Sequence, residues 1–229
     1  MSQRITTNMI TNSTLHDVNS SLAAMIRSES ELASGKSIQQ PSDNPYGASH
    51  AIGLQSTLDG LSSFGSSVQD GTSWLNTTSS AMSSMNNVVE RVRELVVQAS
   101  NGVNNQTDLN NIANEVDQLT ETVKQDANTQ YGGQYVFSGT ATNVAPYQQG
   151  AGDEYQGNTG TIARAIAPNA SVNVNTDISS LLGNGSEPGD GKLLDVLRTV
   201  AVNLRGGTPA DLAALNSTEI GRASCRERV

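Results

Sequence analysis

The sequence predicts a mainly α-helical protein with a small β subdomain, built as a long helical rod or coiled coil. Apolar residues recur every three or four positions over much of the chain before residue 131, which is typical of helices that pair along one face. Aromatic residues make up only 3% of the 229 residues, so a core must be thin and largely aliphatic, which favours paired helices over a thick globule. After residue 131 the pattern changes to short apolar stretches between glycines, which indicates strands.

The N-terminal segment, residues 1–44, is predicted to form one helix and a connecting loop. The apolar residues of the helix follow a 3-4 spacing, so they share one face and form a seam suited to a partner helix. Gly35 is predicted to end this helix, because glycine adopts the left-handed conformation at little cost. The seam residues are Ile5, Met9, Leu15, Val18, Leu22, Met25 and Leu32.

The connecting loop contains two prolines and leads into a second helix. Pro41 and Pro45 exclude a continuous helix through this stretch, since neither has an N–H to donate. Asp43 or Asn44 can cap the new helix, with Pro45 at its first position, where the missing N–H costs little. Two roles are open for these residues: a helix-capping loop alone, or a loop that also contacts a neighbouring subunit.

Residues 45–131 are predicted to form a rod of long helices. The first of them has an apolar face in a regular 4-3 register. Asn101-Gly102 is predicted to end it, and Thr107 or Asp108 to cap the next helix. The register positions are Phe64, Val68, Gly71, Leu75, Thr78, Met82, Met85, Val89, Val92, Val96 and Ala99.

The later part of this rod helix holds candidate assembly residues. Arg91, Arg93 and Glu94 are expected to lie on a solvated face or to pair within the rod. A specific role between subunits is the alternative for these charges. The rod candidates together are Val89, Arg91, Val92, Arg93, Glu94 and Val96.

Residues 132–185 are predicted to form a small β-rich subdomain. Tyr135 to Phe137 lie between glycines and are predicted to form a short strand, and "GTIARAIA" and "SVNVNT" alternate as strands do. Residues 186–218 are predicted to return as a helical segment. The apolar face of its helix is expected to be Leu193, Val196, Leu197, Val200 and Leu204.

The charge and apolar patterns exclude two kinds of partner. The net charge of −9 disfavours nucleic acid and anionic membranes, because both are negatively charged. No apolar run approaches the roughly 18 residues of a membrane span, so no membrane insertion is expected. The opening "MSQRITTNMITNS" lacks the apolar core of a cleavable signal peptide.

No residue pattern indicates catalysis, a cofactor or a metal site, so the protein is not expected to be an enzyme. His16 and His50 are the only histidines, lie far apart, and are predicted to sit on solvated helix faces. "GDGK" at residues 189–192 lacks the first glycine and the hydroxyl residue of a phosphate-binding loop. Asp153-Glu154 is interpreted as a hydrophilic turn, with a cation site as the weaker alternative.

Four stretches resemble the flagellin superfamily, and they occur in the same order. They are "RITTNM" at residues 4–9, "GKSIQQPSDNPYGAS" at 35–49, "RVRELVVQASNG" at 91–102 and "GGQYVFSGT" at 132–140. The first three stretches also resemble the corresponding stretches of flagellin. The Pro-Ser-Asp-Asn-Pro loop and "QYVFSGT" are more similar to the hook-associated protein 3 family, whose members form the junction between flagellar hook and filament. The resemblance covers about residues 1–215.

The resemblance implies a flagellin-like architecture: a terminal coiled-coil layer built from both chain ends, a rod of long helices and an outward β-rich domain. It implies a structural adaptor of the extracellular bacterial flagellum, exported by the flagellar type III apparatus. The implied partners are a ring of identical subunits, hook-associated protein 1, flagellin and a flagellar export chaperone. We expect the seam to fold upon assembly, because its helix cannot bury an apolar face alone.

Two other functions are compatible with the sequence. A flagellin-type filament subunit is the alternative within the structural class. A surface-exposed module that binds carbohydrate or host molecules through the β subdomain is the alternative outside that class. Loss of an adaptor should leave filaments detached from hooks, whereas a flagellin should form long filaments by itself.

The stretch "EIGRASCRERV", residues 219–229, matches no part of the family. It contains Cys225, the only cysteine, and three arginines. It translates residue for residue from a common sequencing adapter, so we interpret it as a non-native tail. On this interpretation native sequence ends near Thr218, the C-terminal helices of the family are missing, and the chain as written is not expected to assemble.

Overall fold

The structure is a computed structural model that describes residues 7–100, 104–150, 152–185 and 191–206. Within these ranges the prediction of a mainly α-helical protein with a small β subdomain is confirmed. Ile5, the helix end predicted at Asn101-Gly102, the first two residues of "GDGK" and the tail at 219–229 lie outside the described residues. The elements are α1 (Thr7–Ser34), α2 (Pro45–Ser100), α3 (Gln106–Ala127), β1 (Gln130–Tyr131), β2 (Gln134–Tyr135), β3 (Ala163–Ala167), β4 (Ala170–Asn173), α4 (Ser179–Leu182) and α5 (Leu193–Gly206).

The chain separates into two compact units, and the division falls between Ser62 and Ser63, inside α2. The first unit holds α1, the following loop and the beginning of α2. The second holds the remainder of α2 and every later element. The predicted domain limits near residues 44, 131 and 185 stay predictions. None of the helices in the described ranges is long and apolar enough to cross a membrane.

The junction between α1 and α2 has the local chemistry that the sequence predicts. Gly35, directly after α1, has a φ of 64°, so it takes the left-handed conformation that favours glycine. The Asn44 side-chain oxygen accepts a hydrogen bond from the Gly47 N–H at 2.9 Å and so caps α2. Pro45 is the first residue of that helix.

The core of the second unit lies between α2, α3 and α5. The register predicted for α2 is confirmed from Thr78 onward, because its positions there are buried or half-buried. Before that point Gly71 is buried and Phe64 is half-buried, as predicted. The register is wrong for Val68 and Leu75, which are 45% and 44% exposed, whereas Trp74 is only 1% exposed. The indole of Trp74, the largest side chain of α2, lies inside and packs against the ring of Tyr131, edge-on at 6.0 Å between centroids.

A capping box starts α3, and its cap lies two or three residues earlier than predicted. The Asn105 side chain accepts from the Asp108 N–H at 3.0 Å, and the Asp108 carboxylate accepts from the Asn105 N–H at 3.3 Å. The prediction of Thr107 or Asp108 as the cap is therefore wrong. Asp108 takes part as the third helical residue, where its negative charge also suits the helix N-terminus.

The strands of the described residues form two antiparallel hairpins, and an isolated antiparallel bridge pairs Tyr147 with Tyr155. In the first, β1 pairs with β2 across Gly132-Gly133, whose φ values of 57° and 79° suit a tight two-residue turn. The strand predicted at 135–137 is right only for Tyr135, since the chain turns after β2 and buries Phe137 completely in the core. In the second hairpin, β3 pairs with β4, which confirms strands in "GTIARAIA" and "SVNVNT".

The second hairpin and α5 both pack onto the helical part of the second unit. Arg164 on β3 donates from Nε to Asp70 Oδ2 on α2 at 2.8 Å. Gly71, the next residue on α2, allows Val174 to pack closely, because a Cβ at position 71 would lie only 3.3 Å from a methyl group of Val174. The predicted face of α5 is confirmed, because all five of its predicted core residues are buried. Those residues are Leu193, Val196, Leu197, Val200 and Leu204.

Candidate functional site: an exposed apolar seam

The apolar face of α1 is exposed along the whole described helix. Every described member of the predicted seam has more than a third of its surface open to solvent, and Leu32 reaches 86%. A continuous row of exposed aliphatic side chains on a folded unit marks an interaction surface. The described seam residues are Met9, Leu15, Val18, Leu22, Met25 and Leu32.

A shallow groove of about 310 Å³ lies in the middle of this seam. Val18, Leu22 and Met25 supply its apolar surface, and Asp17 lies at its side. Methionine and leucine adapt their shape to a partner, because their side chains have several accessible rotamers. The groove therefore suits apolar side chains of a second helix rather than a polar small molecule.

The α1–α2 loop forms a polar corner next to the seam. Arg27 on α1 lies 3.3 Å from Glu31 and 3.5 Å from Asp43, measured between side-chain nitrogen and oxygen atoms. Hydrogen bonds from the backbone N–H groups of Gln40 and Gln39, helped by the charge of Arg27, hold the pKa of Asp43 below its usual range. Asp43 thus fixes the loop within the unit.

The loop candidates divide into internal and surface roles. Asn44 and Asp43 hold the loop and the start of α2 together by hydrogen bonds within the chain. Pro41 and Pro45 are exposed. The helix-capping role of the loop is confirmed, and contact with a neighbouring subunit stays a prediction.

A second exposed apolar row lies at the start of α2. The sequence pattern carried a signal for it, since Leu54, Leu58 and Leu61 follow one another at the same 4-3 spacing. None of the residues in this row is among the predicted assembly residues. All four are more than half exposed. They are Ile52, Leu54, Leu58 and Leu61.

The rod candidates do not form one surface. Val89, Val92 and Val96 are buried in the core of the second unit, so their side chains are not available to a partner. Arg91 pairs with Glu94 on its own helix and with Glu115 on α3. The expectation of pairs within the rod is confirmed for Arg91, whereas Arg93 stands half-exposed on α2.

The two histidines and Asp153, considered above as candidates for a metal or catalytic site, do not form one in the described part of the chain. His16 and His50 are exposed on α1 and α2, as predicted. The carboxylate of Asp153 binds Lys124 and Arg198, so the protein's own cations occupy the oxygens that a cation site would need. Within the described ranges, no three His, Cys, Asp or Glu residues are grouped as a metal ion requires.

The chain matches known flagellar proteins. Residues 5–142 match the family model of the bacterial flagellin N-terminal helical region. The phase 1 flagellin of Salmonella naestved is 36% identical over 154 residues, which are 67% of this chain and 30% of that flagellin. The chain therefore spans less than a third of the length of this curated relative.

Solved structures show the same fold. FlgL from Bacillus cereus superposes with a TM-score of 0.60 at 21% identity, over 78% of this chain and 86% of that one. The flagellar junction protein FlgL from Legionella pneumophila superposes with a TM-score of 0.51 at 23% identity, over 58% of this chain and 43% of that one. Since the matched family model spans more than half of the sequence, the chain belongs to the flagellin family through its N-terminal helical region.

Proposed function

We propose that this chain is part of a structural subunit of the bacterial flagellum that joins the hook to the filament, and that it is not an enzyme. The observation that carries the proposal is the exposed apolar face of α1, from Met9 to Leu32. A face of this kind is stable in water only when another helix covers it. The seam therefore has the chemistry of an assembly surface.

Two findings support a junction protein over a filament subunit. The similarity to Bacillus cereus FlgL extends over 86% of that chain, whereas the matched part of the flagellin is 30% of its length. The Pro-Ser-Asp-Asn-Pro loop and "QYVFSGT" also resemble the junction family more than flagellin. A flagellin-type filament subunit remains the second candidate, because the sequence identity to flagellin is 36% over 154 residues.

The proposed partners follow from this role. Identical subunits would form a ring, with hook-associated protein 1 on the hook side and flagellin on the filament side. A flagellar export chaperone would keep the subunit competent for the type III apparatus, and the assembled protein would act outside the cell. The exposed aliphatic seam supports a partner of the helix-in-groove type, in which apolar residues spaced by three and four provide the contacts.

Deletion of the gene in the source bacterium tests the proposal. We expect deleted cells to release flagellin into the medium as unattached filaments or monomer, with bare hooks visible by electron microscopy. Complementation with the complete gene should restore attached filaments. Filaments that still grow from hooks in the deleted strain would contradict the adaptor role.

A second measurement separates the adaptor from its two alternatives. The purified complete protein should not form long filaments when seeded, because an adaptor adds only a short layer. Long filaments from this protein alone would favour the flagellin-type subunit. Normal filaments together with lost binding to carbohydrate or host surfaces would favour the surface-exposed binding module.

A further inference from the structure

A cluster of four charged side chains joins α3, α5 and the loop before β3. Lys124 on α3 has a fully buried side chain, and its Nζ lies 3.1 Å from Glu121 Oε1 and 3.1 Å from Asp153 Oδ1. Arg198 on α5 donates from Nη2 to Asp153 Oδ1 at 2.7 Å and from Nε to Asp153 Oδ2. Two acids and two bases therefore balance their charges, with Asp153 between both cations.

The same cluster holds the backbone of the loop. We use the name strap for residues 147–150 and 152–156, the described part of the loop that crosses α3 and α5. Lys124 Nζ donates to the Gln148 carbonyl at 3.1 Å, and the Gly150 N–H donates to Glu121 Oε2 at 2.9 Å. Together with the Asp153 carboxylate, these bonds attach the middle of the strap through charged groups. Its first residue, Tyr147, is held by neutral hydrogen bonds between its backbone and the Asn128 side chain.

Apolar packing contributes little to the middle of the strap. Gln148, Gly150 and Gly152 are exposed, and Asp153 is half-buried. Apolar anchors lie only at the ends: Tyr147 is buried, and the half-buried Tyr155 donates from its hydroxyl to the Phe137 carbonyl at 2.7 Å. Charge, rather than apolar area, therefore keeps the described middle of the strap in place.

We propose that the strap is a conformational latch: the charge of Asp153 keeps it closed on α3 and α5, and loss of that charge opens the strap while the helical core stays folded. Once Asp153 is neutral, the buried Lys124 has lost one of the two carboxylates that lie 3.1 Å from its Nζ. A buried cation that has lost a partner is strongly destabilising. Opening the strap returns Lys124 to water, whereas unfolding the helices would expose core residues such as Val200.

The turn after α4 is coupled to the strap. The Tyr155 N–H donates to the Asn184 carbonyl at 3.2 Å, and Gly185, at a φ of 67°, packs against the backbone of Asp153. A side chain at position 185 would meet that backbone at 2.5 Å. The described residues of this turn, 183–185, carry no ionisable side chain, so its contacts with the strap are made through backbone groups.

Acid should open the latch in the same way as a substitution. Burial raises the pKa of Asp153, but hydrogen bonds and ion pairs with Arg198 and Lys124 outweigh burial and hold this pKa below its usual range. Glu121 and Asp117, both on α3, face Arg198 as well. An aspartate whose pKa is lowered in the closed form stabilises that form at pH values above its ordinary pKa of about 3.9. This stabilisation is lost as the pH falls through the pKa of the closed form.

The test is hydrogen exchange followed by mass spectrometry on the whole chain at neutral pH. For Asp153→Asn we expect strap amides, including those of Gly150 and Tyr155, to exchange roughly tenfold faster or more, because a buried ion pair has been broken. Amides of α3 and α5 should keep their protection. Glu154→Gln is the matched control, since it removes the same charge at the next, exposed position and should leave strap exchange unchanged.

Two results would overturn the latch. One is unchanged strap exchange in Asp153→Asn; the other is an equal rise across α3, α5 and strap, which would make Asp153 an ordinary part of the core. If Asp153→Asn does not fold, an acid titration of the unsubstituted protein provides the test instead. The near-ultraviolet signal of the tyrosines should then change at a higher pH than the helical ellipticity. Coincident transitions would overturn the proposal as well.

Discussion

Arg91 on α2 donates two hydrogen bonds to one carboxylate oxygen of Glu115 on α3, from Nε at 3.1 Å and from Nη2 at 2.8 Å. The guanidinium also reaches Glu94 at 3.1 Å on its own helix. Hydrogen bonds to Glu115 and Glu94 raise the pKa of Arg91, because both favour the charged form. The arrangement links two helices of one chain, so neither Arg91 nor Glu94 needs a neighbouring subunit as its partner.

The Arg91–Glu115 pair should contribute little to stability, and salt should remove its contribution. Both side chains are nearly half exposed, so water and ions screen their attraction. A double-mutant cycle with Arg91→Ala and Glu115→Ala, measured by urea unfolding, should give a small favourable coupling at low salt. The coupling should vanish near 1 M salt. A large coupling that persists in salt would show that the pair is effectively buried.

Local apolar periodicity was sufficient to predict α1 and α5. The face of α5 that contains Val196 and Val200 repeats at helical spacing, and the same side chains are buried in the structure. Gly35 and Pro45 mark the end of one helix and the start of the next through their own backbone preferences. These features depend on residues close in sequence, so one sequence is enough to predict them.

Contacts between distant residues could not be predicted in this way. Val68 and Leu75 on α2 continue a regular spacing but are exposed, whereas Trp74 lies inside and its ring contacts Tyr131, a residue 57 positions later in the sequence. Lys124, Asp153 and Arg198 are far apart along the chain, so nothing local indicates that they meet. For the seam, the sequence predicts an apolar helix face that needs a partner. The exposure of that face in the single chain is known only from the structure.

The core of the second unit should tolerate truncation poorly at Val200. This residue has 0% exposure, so Val200→Ala should lower the free energy of unfolding by about 2 kcal/mol through lost burial and a small cavity. Val202→Ala, two positions along the same helix at 64% exposure, is the matched control. It should change stability by less than about 0.5 kcal/mol. Equal effects of the two substitutions in chemical denaturation would mean that α5 does not pack as described.

Tyr155 should make the fold sensitive to strong alkali. Burial, with a further contribution from the charge of Asp177, raises its pKa to about 12. Since the folded pKa lies above the ordinary value of about 10, the stabilisation is complete below that pH and is lost as the pH rises to the folded value. Unfolding experiments from pH 8 to 12 should show this loss in the unsubstituted protein and a weaker one in Tyr155→Phe.

An exposed tyrosine provides the control for this experiment. Tyr46 is 82% exposed on α2, and Tyr46→Phe should leave the stability at pH 8 unchanged. Tyr155→Phe should lower it, because the hydroxyl donates to the Phe137 carbonyl at 2.7 Å in a partly buried site. If both variants behave alike, the Tyr155 hydroxyl bond has no measurable role.

The α1 helix should contribute little helical signal in the isolated subunit. Its first turn has no acidic residue, its last turn has no basic residue, and its apolar face is exposed, so it lacks both dipole and packing support. Deletion of residues 1–40 should leave the far-ultraviolet ellipticity per molecule nearly unchanged. A loss equivalent to the 28 residues of α1 would contradict folding upon assembly, because the helix would then form alone.

The seam should be needed for assembly but not for folding of the subunit. Leu22 is 51% exposed and lies in the groove of α1, so Leu22→Lys should leave the free energy of unfolding within about 0.5 kcal/mol of the original value. In an assembled flagellum the same lysine would carry a charge into an apolar contact, at a high desolvation cost. Cells complemented with this variant should therefore lose attached filaments.

Ser20→Lys is the matched control for the seam, because residue 20 is exposed and lies about 160° around the helix from residue 22. It introduces the same charge on the same helix and should leave filament attachment intact if only the apolar face contacts a partner. Loss of attachment in both variants would indicate that α1 is enclosed on all sides in the flagellum. Loss in neither would remove the seam from the assembly surface, since a buried lysine at position 22 cannot be neutral in its effect.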